Sequence, residues 1–145
     1  MSDAGRRPSP DDFSTLQRVR FGDLDAMQHM NNVEFLRFFE TARIDWFHQV
    51  LGDRSPASRS RFGFIFAECH LAYRAPAFFN DMIRTWIWPV ELKRSSIRLA
   101  FEMRVEADDR LVADGWGTLV GYDYDAGAPR PLPDEVRDRV LPLLG

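Results

Sequence analysis

Cysteine is almost missing from this 145-residue chain: Cys69 is the only one. No internal disulfide can form and no thiolate cluster can hold a metal, which fits a reducing cytosol and an expected cytoplasmic location. Histidine is sparse too, with three. His29, His48 and His70 lie about twenty residues apart and never reach the His-x-x-x-His spacing that sets two imidazoles on one helix face, so neither a metal nor another bound cofactor is expected. A basic surplus is absent too, with 19 Lys and Arg against 22 Asp and Glu and a net charge of -3. A general nucleic-acid binder would carry a strongly basic domain instead. No apolar stretch approaches the roughly 18 residues of a membrane span, and none follows the N-terminus as a signal-peptide core would. No serine sits in a Gly-x-Ser-x-Gly elbow, and Cys69 has beside it only His70, which strand alternation turns to the opposite face. A hydroxyl or thiol nucleophile is therefore disfavoured.

What the chain does have is a composition of 45% hydrophobic and 28% charged residues, which at this length means one domain around one core. Residues 1–12, with Arg6, Arg7, Pro8 and Pro10 among serines and aspartates, read as a disordered tail, and residues 13–145 as the single domain. Residues 13–21 are a short strand candidate. A helix is predicted over residues 32–51, stopped by Gly52 and entered through Asn31 as N-cap, with Glu34 three residues on as an asparagine variant of the capping box. Val33, Leu36, Phe39, Trp46, Phe47 and Val50 follow helical spacing, and Phe35, Phe38 and Ile44 widen the stripe. A helix apolar over so much of its circumference needs a sheet wrapped around it or a partner on its second face.

After a polar loop at residues 53–61, the pattern changes to period two in four runs near residues 64–74, 81–92, 96–106 and 111–124. The third is the clearest, with Ile97, Leu99, Phe101, Met103 and Val105 alternating with Arg98, Glu102, Arg104 and Glu106. Connections of a few residues favour antiparallel neighbours. Pro89 removes a ladder donor and predicts an edge or a bulge, and a proline-led helix follows over residues 133–141. A helix followed by such a sheet is an α+β layout.

Polar chemistry is concentrated at the helix entrance. Residues 21–32 place Asp23, Asp25, His29, Asn31 and Asn32 just before the first turn, where unpaired N–H groups and the positive end of the macrodipole suit a developing oxyanion. Phe21, Asp23, Asp25, His29, Asn31 and Asn32, then Phe38, Phe39, Glu40, Ala42 and Arg43, resemble the signature of the hotdog-fold acyl-CoA thioesterases of the 4-hydroxybenzoyl-CoA thioesterase type. The likeness continues through residues 70–76, Asp81, residues 94–97 and 111–113, and Pro131-Leu132-Pro133. The dehydratase motifs of other hotdog enzymes, His-Phe-Pro and Asp-x-Asn-Pro-x-His, do not occur. Gln28 stands where many relatives have glycine.

The resemblance implies a hotdog fold, about five antiparallel strands curved around one long central helix. It implies an enzyme hydrolysing acyl-CoA thioesters, with Asp25 as nucleophile or general base and a backbone N–H near Asn32 polarising the carbonyl. His29 would orient Asp25 or contact substrate. Asn31 and Glu40 would serve the substrate pocket, with helix pairing or catalysis as further roles for Glu40. Lys93, Arg94, Ser96 and Arg130 would meet the phosphates of coenzyme A. A homodimer or homotetramer is implied, with no nucleic-acid or membrane partner. A structural role competes at each position: Asp25 as an Asx-turn, Asp23 as a loop tie, Lys93-Arg94 as a solvated turn. A non-catalytic acyl-CoA binding or sensing module, or a thioesterase acting on acyl-carrier protein, stays open as the alternative function.

Overall fold

The computed structural model describes residues 7–52 and 63–144; the polar loop expected at residues 53–61 and residues 1–6 of the expected tail lie outside them. Residues 7–12 enter through a turn in which Ser9 N–H donates to the Asp12 carboxylate at 2.7 Å and Asp12 N–H to the Ser9 carbonyl at 3.0 Å. The chain then forms β1 (Phe13–Arg18), a 3-10 turn (Phe21–Asp23), α1 (Asn32–Trp46) with a π-helical extension (Phe47–Leu51), β2 (Phe64–Tyr73), β3 (Met82–Leu92), β4 (Ser96–Val105), β5 (Arg110–Asp123), the two-residue β6 (Ala128–Pro129) and α2 (Asp134–Val140). The main sheet has the order β1-β3-β4-β5-β2 and β6 pairs with β5, all antiparallel. This is the hotdog architecture: a curled antiparallel sheet around one long helix. No helix of the described residues is long and apolar enough to cross a membrane.

Period-two alternation in β4 decides which face meets the helix. Ile97, Leu99, Phe101, Met103 and Val105 are buried in the core with Phe35, Phe38, Phe39, Ala42 and Trp46 of α1. Phe39 stacks on Phe101 with ring centroids 4.1 Å apart, and burying such a ring contributes roughly 1.5–3 kcal/mol relative to exposure. Gly117 of β5 faces the same layer, and a Cβ there would collide with the ring of Phe66. On the other face of β4, Glu102 is buried and takes a hydrogen bond from the Arg104 guanidinium at 3.1 Å, so that face is paired rather than wet. The ladder shifts register between Pro89 and Glu91, the bulge that the missing proline N–H calls for.

The helix departs from its predicted form in three respects. The α-helical hydrogen-bond pattern ends at Trp46 and a π-turn carries the chain to Gly52, whose φ of 71° makes the stop. Val33 and Leu36, expected in the buried stripe, are 59% and 42% exposed, while Arg43 is buried at 9%. The capping box does not close: the Asn31 side chain accepts from Val33 N–H at 3.1 Å, and Asn31 N–H donates to the Asp23 carbonyl instead of to Glu34.

Candidate active site

The polar stretch before α1 folds as a small hairpin. Asn31 N–H donates to the Asp23 carbonyl at 2.9 Å, Leu24 and Met30 form a bridge, and Asp25 N–H donates to the His29 carbonyl at 3.0 Å. Gln28 N–H returns to the Asp25 carbonyl at 3.0 Å. These bonds close a three-residue loop of the kind that ends on a left-handed bulge residue. That residue is Gln28, at φ 64°. Gly there would be free of the Cβ clash that costs a side chain about 1–2 kcal/mol in this region, which accounts for the glycine of the resembling family. Gln28→Gly is accordingly expected to leave stability unchanged or raise it by up to about 1 kcal/mol, the relief being partly offset by unfolded-state entropy. Urea unfolding measures this, and a loss above that size would show that the Gln28 side chain holds the loop.

Asp23 is buried and acts as the tie. Its carboxylate accepts from Arg20 N–H at 2.8 Å and from the Arg20 guanidinium at 3.1 and 3.2 Å. That bonding, with the charge of Asp23, lifts the Arg20 guanidinium above its ordinary range. The hairpin is docked from below, since Met30 N–H donates to the Ala77 carbonyl at 2.7 Å and Val19 N–H to the Asp81 carbonyl at 2.8 Å.

Asp25 is differently placed. One carboxylate oxygen accepts from Met27 N–H at 2.8 Å, as an Asx-turn would, and the other lies 3.6 Å from His29 Nδ1. The two side chains are 27% and 35% exposed, open enough to be reached. One oxygen therefore holds the loop and the second faces the imidazole across the hairpin. At the helix entrance, Val33 N–H is taken by the Asn31 side chain and Glu34 N–H by the Asn31 carbonyl. The Asn32 N–H makes no hydrogen bond among the described residues. A free donor at the positive end of a helix can polarise a carbonyl, and a half-open carboxylate in the hairpin that leads into that helix can activate water or attack.

Of the remaining sequence-predicted residues, Glu40 is exposed two turns further along α1, without an ion pair among the described residues. Lys93 and Arg94 occupy the β3–β4 turn and Ser96 opens β4, with Lys93 N–H donating to the Ser96 carbonyl. Arg130 joins them through backbone: Arg130 N–H donates to the Gly121 carbonyl, Gly121 N–H to the Ser95 carbonyl and Leu132 N–H to the Arg94 carbonyl. This group lies at the opposite end of the sheet from Asp25. The ten residues of β4 alone separate the two ends by roughly 30 Å. Sequence reading missed Arg137, whose guanidinium donates to the Lys93 carbonyl at 2.8 Å and enlarges the basic cluster. It also missed Tyr73, whose hydroxyl donates to the Asn32 carbonyl at 3.0 Å and pins the helix entrance to β2. A tyrosine at a strand end carries no signal for that contact. No group of three or more His, Cys, Asp or Glu among the described residues is arranged to hold a metal ion.

Residues 19–140 match the family described as the thioesterase-like superfamily. The chain is 27% identical over 128 residues to the long-chain acyl-CoA thioesterase FadM of Escherichia coli strain K12, covering 88% of this chain and 96% of that protein. Among solved structures, a Thermus thermophilus thioesterase complexed with coenzyme A and Zn is 32% identical with a TM-score of 0.77, over 90% of this chain and 92% of that one. A thioesterase-superfamily protein from a Jannaschia species superposes with a TM-score of 0.86 at 22% identity, over 97% and 99% of the two chains, a likeness of fold.

Proposed function

Because the chain belongs to the thioesterase-like superfamily, we propose that it hydrolyses an acyl-CoA thioester with Asp25 as nucleophile or general base. The observations that carry this reading are the Asp25 oxygen left facing His29 and, a few residues on at the start of α1, an Asn32 N–H without a hydrogen bond among the described residues. In the general-base route, Asp25 takes a proton from water, the hydroxide adds to the carbonyl, and the oxyanion is met by the Asn32 N–H. The C–S bond then breaks, and the thiolate of coenzyme A leaves and is protonated. In the nucleophilic route, Asp25 attacks the carbonyl first, the C–S bond breaks so that the thiolate leaves as an acyl-aspartyl anhydride forms, and water cleaves that anhydride to the free acid and the Asp25 carboxylate. His29 orients the carboxylate in either route.

The basic cluster of Lys93, Arg94 and Arg130 is the proposed phosphate site, and its distance from Asp25 argues for a cleft shared between two copies. The β2 strand is an edge, with Ala67, Glu68, Cys69 and His70 exposed. Antiparallel pairing of two β2 edges sets the Phe64 end of one copy beside the Tyr73 end of the other. The basic cluster stands at the Phe64 end, where the Tyr124 hydroxyl donates to the Phe64 carbonyl at 2.5 Å and Tyr122 N–H to the Gly63 carbonyl. The Asp25 hairpin stands at the Tyr73 end. A homodimer therefore brings one copy's phosphate-binding group toward the other's carboxylate.

The test is release of free thiol from a panel of aromatic, short, medium and long acyl-CoAs, with matched acyl-carrier-protein thioesters in parallel. Turnover of at least one acyl-CoA is expected, and the panel then identifies the acyl group. Binding of acyl-CoA without thiol release would move the protein to a binding or sensing role, and turnover confined to the carrier-protein thioesters would move the substrate assignment.

A further inference from the structure

Arg43 is the least explained side chain in the molecule. It is 9% exposed, and its Nε and Nη1 are buried without a hydrogen-bond partner. Its guanidinium carbon sits 4.0 Å from the centroid of Phe66 and 5.9 Å from that of Phe39, so aromatic faces are its surroundings. Burial pulls the guanidinium below its ordinary range, with the Glu40 and Cys69 charges opposing. A buried guanidinium with no hydrogen-bonded or ion-paired anion among the described residues is strongly unfavourable until one completes it. Glu40, one turn earlier, is exposed and unpaired among the described residues, and it forms no ion pair with Arg43 of its own chain.

We propose that a second copy of this chain supplies the missing anion, Glu40 of each copy pairing with Arg43 of the other across a two-fold axis at the middle of β2. The inference rests on the β2-edge dimer above. Helix α1 runs antiparallel to β2: Tyr73 touches Asn32 and Phe35, Phe66 touches Phe39 and Arg43, and Phe64 touches Phe47. The centre of β2 thus lies beside the turn that carries Glu40 and Arg43. A two-fold axis there sets two copies of α1 antiparallel, and residues three apart that straddle the axis exchange partners. Glu40 then faces the opposite Arg43, and the reverse. The same side of the subunit exposes Val33, Leu36, Phe66 and Tyr73, an apolar surround that would exclude water from both pairs.

Association of the full chain, measured by sedimentation at micromolar concentration, tests the pairing. The wild type is expected to be a dimer, and Glu40→Arg and Arg43→Glu are each expected to raise the dissociation constant at least about tenfold. Combining the two substitutions should restore it to within a few fold. Should Arg43→Glu fail to fold, Glu40→Arg at its exposed site carries the test alone, since it opposes two cations across the axis. A monomeric wild type would overturn the β2-edge dimer itself. A dimeric wild type whose single variants associate equally well, or a double variant no better than its worse parent, would overturn the pairing while leaving the dimer. Unchanged association with a KM raised only for acyl-CoAs ending in a carboxylate would also overturn it, and would assign Arg43 to the substrate.

Discussion

Asp25→Asn is expected to lower turnover by roughly a hundredfold to ten-thousandfold, with more lost if Asp25 is a covalent nucleophile. The substitution keeps the side-chain size and an oxygen that can accept from Met27 N–H, the bond that holds the turn at 2.8 Å. It removes the charge and the base at the oxygen facing His29. Thermal midpoint and acyl-CoA affinity should therefore stay close to wild type while kcat falls. Thiol release under saturating substrate reads the first effect, and a melting curve controls for the second. Near wild-type turnover would leave Asp25 as an Asx-turn residue only, and Glu40 would become the next carboxylate to replace.

Replacing Arg94 and Arg130 together with alanine is expected to raise KM for acyl-CoA by about tenfold to a hundredfold, from loss of charge-assisted hydrogen bonds at about 1.5–3 kcal/mol each, reduced by their exposure. The kcat should change little, because contacts to the nucleotide end are the same in ground and transition states. An acyl-pantetheine substrate, which lacks the nucleotide, should show almost no difference between variant and wild type. Raised salt should reproduce part of the defect, since exposed charges are screened over about 8 Å at physiological ionic strength. Equal KM on full acyl-CoA would return Lys93, Arg94 and Arg130 to the role of a solvated turn. The backbone ties of this segment, from Arg130 N–H to the Gly121 carbonyl and from Leu132 N–H to the Arg94 carbonyl, do not use the replaced side chains.

Much of the architecture is legible locally. The strict alternation of β4, the proline in β3 and the Gly52 stop each report a short-range constraint: pleat, missing donor, positive φ. The candidate site is legible in part for the same reason, because Asp23, Asp25, His29 and Asn31 are tied to one another by bonds spanning a few residues. Gln28 is visible in the sequence as a departure from the resembling family, but its meaning becomes clear only with a φ of 64°.

The sequence by itself therefore determined the main elements, their order, the face that β4 turns to the helix, and the clustering of carboxylates, imidazole and amides at one helix entrance. These follow from periodicity and from hydrogen bonds whose partners are near in the chain. Tertiary structure alone decided which oxygen of Asp25 is left over, which N–H of the first helical turn stays free among the described residues, and that Lys93, Arg94 and Arg130 gather at the far end of the sheet with Arg137. It alone buried Arg43 among Phe39 and Phe66 while exposing Val33 and Leu36. Helical spacing names a stripe, but the angle at which a curved sheet meets the helix chooses which side of that stripe is covered. That angle is set by pairings such as β2 with β5, made between segments some forty residues or more apart, and no local pattern encodes it.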